Sequence, residues 1–187
     1  MTKYFVGIVM PVDIETRIYE LQKRMAERAR TRYGYQHSIS HGRSRPHVTL
    51  LEPIDGPPEL IHRAVQMTAR EQGPFRASFS GLGLFPPHTV YLSCEQGSTQ
   101  LQDMRKNILS HMGMNISDKV FHVSVARHIA QKDFPSVVAT AEEESDAFRS
   151  LMNATFPIHG VFVFSKHTED GRWFPYSYYG LTGPVVS

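Results

Sequence analysis

An apolar strand with a histidine set into it occurs twice in this chain, as "RPHVTLLEP" at 45–53 and as "KVFHVSVARHI" at 119–129. An ionisable ring among Val and Leu costs desolvation unless something binds it or uses it. Taken singly, such a ring is usually a core histidine satisfied by a backbone carbonyl. Its recurrence constrains the fold, because each instance closes the same series: a strand, a helix, then the histidine strand. The repeat is about 75 residues long, too long for a solenoid period. Two related halves packed about a pseudo-twofold axis are the architecture it implies, with equivalent strands facing each other across a cleft.

The rest of the chain supports an α+β reading: two pseudo-symmetric lobes, each an antiparallel sheet with helices outside, around a central cleft. Residues 1–187 form a single bilobal domain in this reading, with approximate repeats 1–80 and 81–187. "KYFVGIVM" reads as a buried strand, and Asp13 is placed to cap a helix carrying Ile14, Ile18, Leu21, Met25 and Ala29 on one face. "RTRYGYQHSISHGRSR" has no period and reads as a long loop. After the first histidine strand, which stops at Pro53, a helix turns Leu60, Ile61, Ala64, Val65 and Thr68 inward. "PFRASFSGLGLF" and "HTVYLSCE" are strands joined by "FPPH"; a helix spans about 98–112. A helix over about 135–152 follows the second histidine strand. "FPIHGVFVFSKH" and "RWFPYSYYGL" close the chain as two strands joined by the turn "TEDG".

Composition matters here mainly for what it excludes. The single cysteine, Cys94, rules out an internal disulfide and fits a reducing compartment. The apolar stretch from Tyr4 to Val12 is too short to span a membrane and lacks the pattern of a secretory leader, so the expected location is cytoplasmic. A formal net charge of +2 argues against a general coat for nucleic acid. The charge is polarised, however. Arg28, Arg30, Arg32, Arg43 and Arg45, with His37 and His41, precede the first histidine strand, while acids gather at Glu142 to Asp146.

Strand side chains alternate, so His47 shares a face with Thr49, and His122 with Ser124. Val48 and Leu50, like Val123 and Val125, face the other way and can bury. Each strand thus offers one imidazole and one hydroxyl from a rigid element. H-x-[S/T] alone is a weak signal; its force comes from two occurrences in apolar strands at matching places.

With these motifs in view the chain resembles the two-histidine (2H) phosphoesterase superfamily, which holds RNA 2′,5′-ligase-like proteins and cyclic phosphodiesterases. The resemblance rests on His47-Val48-Thr49-Leu50 and His122-Val123-Ser124-Val125. It extends to "YFVGIVMP", "FSGLGLFP", "VYLSC" and the closing hairpin. Ser124 departs from the commoner Thr but keeps the hydroxyl. Arg127 sits where ligase-like members often carry a basic residue. The resemblance implies a metal-independent reaction with His47 and His122 as the catalytic pair.

The residues suit that chemistry. Of two imidazoles near neutral pH, one can accept a proton while the other donates one. Phosphodiester cleavage needs both acts, and Thr49 and Ser124 can donate to the phosphoryl oxygens where charge gathers. Which histidine is base and which is acid stays open. The chain has no H-E-x-x-H or C-x-x-C motif. The His37/His41 pair has zinc-like spacing, but Gly42 and polar neighbours argue against the helix it would need. No metal and no cofactor are expected.

The substrate should be anionic, and Arg43, Arg45, Tyr33 and Tyr35 mix cations with stacking rings in the basic loop. His88 and Tyr91 on a neighbouring strand, Lys166, and Phe174 or Tyr176 near the C-terminus are further candidate contacts. His128 continues the second motif strand but lies far along it. The expected partner is a small nucleotide, a cyclic or linear oligonucleotide, or an RNA end, with no membrane and no obligatory protein partner. The reaction expected is cleavage of a 2′,3′-cyclic, 2′,5′-linked or cyclic oligonucleotide phosphodiester. A non-catalytic nucleotide-binding module and a 2′,5′ RNA ligase running the reverse reaction are the alternatives.

Overall fold

A computed structural model of the chain describes residues 2–37, 39, 45–167 and 173–184. Arg43, His41 and the "TEDG" turn lie outside the described residues. The elements run β1 (Thr2–Val9), α1 (Val12–Tyr33), β2 (His47–Asp55), α2 (Pro58–Glu71), β3 (Phe75–Phe85), β4 (Thr89–Cys94) and α3 (Ser98–His111). Then follow β5 (His122–Ala126), α4 (Phe134–Glu143), α5 (Ser145–Met152), β6 (Thr155–Ile158), β7 (Gly160–His167) and β8 (Phe174–Gly180).

The fold is α+β, with an antiparallel sheet and helices packed on one face of it. Among the described residues the strands form one eight-stranded sheet in the order β6-β3-β4-β5-β2-β1-β7-β8. The two strand sets therefore meet edge to edge at β2 and β5, joined through the pair Val48↔Val123. The histidine strands are neighbours in one surface, where the sequence suggested strands opposed across a gap. Alternation reveals which way a side chain points but not which strand lies beside it, and that is why the seam was not legible.

The repeated series appears as β1–α1–β2 and β4–α3–β5. The strands after them are exchanged: β3 pairs with β4, and β7 with β1. The core lies between the sheet and the helices. It gathers Tyr4, Val6 and Ile8 of β1, Val48 and Leu50 of β2, Val123 and Val125 of β5, and Ile14, Ile18, Leu21 and Met25 of α1. Those alternate strand residues face the helices, so their neighbours face the opposite side, where the histidines stand.

Several local expectations change. α1 starts at Val12 after Pro11, with Asp13 in its first turn rather than at the cap. It runs on through Tyr33 to a left-handed Gly34 at φ 66°, so the first residues of the expected loop are helical. β2 continues past Pro53 to Asp55. Leu60 is 40% exposed, whereas Ile61, Ala64, Val65 and Thr68 are buried as expected. The last long helix is two, α4 and α5, parted at Glu144, whose carboxylate is turned to Arg24 and Arg28 of α1. "FPIHGVFVFSKH" also divides. β6 pairs with β3 at one end of the sheet and β7 with β1 near the other, so the chain changes ends at His159.

Candidate active site

The register of the central strands builds the site. Antiparallel pairing about Val48↔Val123 sets His47 opposite Ser124 and Thr49 opposite His122. Flanking pairs extend each row: Val9 lies beside His47 and Tyr91 beside Ser124, while Gly7 lies beside Thr49 and Ser93 beside His122. Each imidazole therefore faces the hydroxyl of the other motif, at the few-ångström spacing of directly opposed residues.

Both rings are held in the same way. His47 Nδ1 donates to the carbonyl of Arg45 at 2.7 Å, and His122 Nδ1 donates to the carbonyl of Val120 at 3.1 Å. A carbonyl only accepts, so in each neutral ring the proton sits on Nδ1 and Nε2 carries the lone pair. Behind each ring lies a stacked aromatic pair. Phe5 and Phe164 stack at 4.3 Å, and Phe5 lies 4.8 Å from His47. Phe85 and Tyr91 stack at 4.3 Å and lie 5.0 and 4.8 Å from His122. Gly83 allows the second arrangement: a Cβ there would fall 2.2 Å from Cζ of Tyr91.

A cavity of about 200 Å³ opens over the four motif residues. Its wall is completed by Phe5, Glu52, Pro53, Lys119, Arg127 and Trp173. Lys119 donates to Glu52, which also accepts from Arg105 Nη1 at 3.0 Å. Burial alone would push the Glu52 carboxyl up, but the hydrogen bond and charge of Lys119, with Arg105 beyond, hold it below its ordinary range. Burial also pushes the His122 imidazole below its ordinary range. The Val120 carbonyl opposes that shift, Lys119 and Arg127 reinforce it, and Glu52 works against it. The neutral form of His122 is thereby favoured.

The other sequence candidates divide. Arg127 lines the cavity, Tyr91 backs His122, and Lys166 lies 5.7 Å over the ring of Trp173, which itself lines the cavity. Arg45 does not line it: its guanidinium binds Glu15 of α1, while its carbonyl orients His47. Tyr33 donates to Glu143 at 3.2 Å and Tyr35 is buried, both away from the cavity. His88 sits in the β3–β4 turn with Nδ1 3.2 Å from the Ile129 carbonyl. Tyr176 packs on Tyr4 and His62, and Phe174 pairs with buried Ser165, so both belong to the helix side of the sheet. His128 lies beyond the end of β5 with φ 58° and leaves the strand's face.

Glu52, Lys119 and Phe5 went unread as site residues in the sequence, and Trp173 stood there only among the C-terminal aromatics, of which Phe174 or Tyr176 was preferred. Glu52 and Arg127 each stand five residues after a motif histidine, which is the one spacing that could have drawn attention to both. Among the described residues no group of three or more His, Cys, Asp or Glu is arranged to hold a metal ion. None of the described helices is long and apolar enough to cross a membrane. Cys94 is buried, and burial pushes its thiol up to about 12, so it is not a nucleophile near neutral pH.

Residues 16–170 match a family model described as the 2′-5′ RNA ligase superfamily. Solved structures share the fold over nearly all of both chains. TT0787 of Thermus thermophilus is 17% identical with a TM-score of 0.66, covering 97% of this chain and 98% of its own. LigT of E. coli, in complex with 3′-AMP, is 15% identical with a TM-score of 0.62 and the same coverage. Usb1 of Kluyveromyces marxianus is 13% identical with a TM-score of 0.55, covering 94% and 97%. No curated protein sequence matches the chain.

Proposed function

The chain belongs to the 2′-5′ RNA ligase superfamily, the 2H phosphoesterases, and from that premise we propose that it is a metal-independent phosphodiesterase acting on a nucleotide or RNA phosphodiester. The observation that carries the reading is the matched state of the two rings. Each donates Nδ1–H to the carbonyl two residues before it, and each faces a hydroxyl across the strand pair. On a 2′,3′-cyclic phosphate, one Nε2 takes a proton from water as its oxygen attacks phosphorus. The P–O bond to one ribose oxygen breaks, and the other imidazolium protonates that oxygen. Thr49 and Ser124 donate to the non-bridging oxygens as charge gathers there. The protons return by exchange with water.

The cavity suits a small anion with a ring attached. Arg127 and Lys119 supply cations, and Trp173 and Phe5 supply faces on which a base can stack. At about 200 Å³ it falls below the usual ~300–1,000 Å³ of sites that enclose a whole drug-sized ligand. It therefore takes the scissile phosphate and part of a nucleotide, with any further chain outside. The LigT complex with 3′-AMP supports a nucleotide as the ligand class. The buried thiol fits a reducing, cytoplasmic setting.

The deciding experiment is a turnover screen with EDTA present, over 2′,3′-cyclic, 3′,5′-cyclic and 2′,5′-linked substrates. Turnover of at least one class, lost in both His47→Ala and His122→Ala, is expected. Loss of activity on adding EDTA, or full activity in either variant, overturns the reading. Ligation is the same chemistry reversed, and an assay supplied with both RNA ends separates the two directions. A purely binding role draws less support, because Arg45, Tyr33 and Tyr35 of the basic segment are engaged within the chain.

A further inference from the structure

The cavity of about 200 Å³ leaves most of a polynucleotide outside it, and the sheet face beside it is paved with rings. Directly opposed residues of an antiparallel pair share a face. Register therefore carries one row outward from Thr49: Gly7 on β1, Phe162 on β7 and Tyr178 on β8, the strand at which the sheet ends. Gly7 adds no side chain to that row, and the ring of Phe5 leans into its place, with Cε2 3.1 Å from where a Cβ would stand. From Phe5 the rings follow one another: Phe164 at 4.3 Å, then Phe162 at 6.0 Å from Phe164, then Tyr178 at 4.9 Å from Phe162. Exposure rises along the way. Phe5 and Phe164 are buried, Phe162 is half-buried and Tyr178 is 54% exposed.

Tyr178 is not a loose surface ring. A Cβ on Gly160 would fall 2.2 Å from its Cε2 and 2.4 Å from its Cζ, so glycine lets the ring lie down against β7. The hydroxyl donates to the His159 carbonyl at 3.3 Å, and Phe162 flanks the ring. Its conformation is settled before anything binds, which lowers the cost of stacking on its open face. Tyr176, 58% exposed on the same strand, turns the other way, to Tyr4 and His62. Lys166 shares the Tyr178 side of the sheet, since alternation sets it on one face of β7 with Phe164 and Phe162. It lies 5.7 Å over Trp173 of the cavity wall, so rings and a cation continue from the cavity across this face. Three strand spacings of about 4.8 Å put Tyr178 about 14 Å from Thr49.

We propose that Tyr178, on its bed at Gly160, is a second nucleotide subsite, which stacks an unpaired base of a single-stranded RNA whose scissile phosphodiester lies at the histidines. This rests on the phosphodiesterase reading above and adds length to it: the substrate is an oligonucleotide held at two places. Every base has a π-face, so stacking is tolerant of sequence. A base inside a duplex has both faces covered by its neighbours. The subsite therefore selects for length and for single strands.

The test is binding to the full chain of single-stranded oligoribonucleotides ending in 3′-phosphate, from mono- to pentanucleotide, by competition against a fluorescein-labelled pentanucleotide. In wild type, affinity steps up once the RNA is long enough to reach Tyr178, by about 5- to 150-fold, the worth of one stacked base. Tyr178→Ala loses that step, and Gly160→Ala, whose methyl lifts the ring, loses most of it. Tyr178→Phe keeps the step, as does Tyr176→Ala on the opposite face. No step in wild type, or a step that survives Tyr178→Ala, overturns the proposal. Should Tyr178→Ala fail to fold, photo-crosslinking of a bromouridine-substituted pentanucleotide to wild type decides. Crosslinks on the peptide that carries Tyr178 uphold the subsite, and crosslinks confined to other peptides overturn it. Binding needs no turnover, so a step lost in Tyr178→Ala in a chain that cleaves no phosphodiester upholds the subsite while sinking the catalytic reading. Turnover without such a step does the reverse.

Discussion

At the residue scale the site depends on which nitrogen of each ring carries the proton. Removing either imidazole takes away one half of a paired proton transfer, so His47→Ala and His122→Ala should each lower kcat by about 10²–10⁴-fold. Steady-state rates with circular-dichroism checks on folding measure that. His122 also links protonation to stability. An unfolded histidine titrates near 6.5, and burial sets His122 lower in the folded chain. Between those two midpoints the unfolded chain binds more protons, so stability falls as pH drops below about 6.5 and levels off below the folded midpoint. Urea midpoints of wild type and His122→Asn at pH 7.5 and 5.5 should show a smaller loss in the variant; an equal loss would place the titration elsewhere. Gly83 is a quieter determinant. A methyl there meets the Tyr91 ring, so Gly83→Ala should displace the ring that backs His122 and destabilise by about 1–3 kcal/mol through overpacking, read by urea unfolding together with kcat. "FSGLGLF" was legible as a strand, but the need for glycine was not, because that need arises from a ring on the next strand.

At the scale of elements, apolar spacing named the partners of the core well. Ile14, Ile18, Leu21, Met25 and Ala29 of α1 are all buried, as their period requires. What spacing could not show is where a polar side chain reaches across elements. Arg45, Tyr33 and Tyr35 looked like a ligand-binding run because they are close in sequence. Glu15, Glu143 and the interior claim them instead. Arg105 drew no notice on the helix expected over about 98–112, yet it fastens α3 to β2 and to Ser117. Arg105→Met should leave those buried acceptors unpaired, at about 1–3 kcal/mol each, so denaturant unfolding should show a clear loss. A stability within error of wild type would mean that water replaces the guanidinium.

At the scale of the molecule, the repeated strand–helix–strand series was visible in the sequence, and so were both motifs. The pairing of β7 with β1 was not, since it joins segments far apart in the chain, whereas β3 and β4 follow one another and were read as strands joined by "FPPH". Those pairings carry a prediction. Residues 1–80 alone hold only the first half of β3, without β4, and β1 without β7, so the fragment should be largely unfolded by circular dichroism and should gain structure when mixed with 81–187. A cooperative unfolding transition in the isolated fragment would show that the halves are independent.

The seam at Val48↔Val123 has a last consequence. The two imidazoles stand on adjoining strands whose spacing of about 4.8 Å is set by the backbone. That pairing acts as a ruler. The distance between the two rings is thus set by strand pairing rather than by the packing of one lobe against another. In the proposed reaction, a substrate would have to match that span with the distance between its attacking and leaving oxygens, so the pairing of the strands would select among linkages by length.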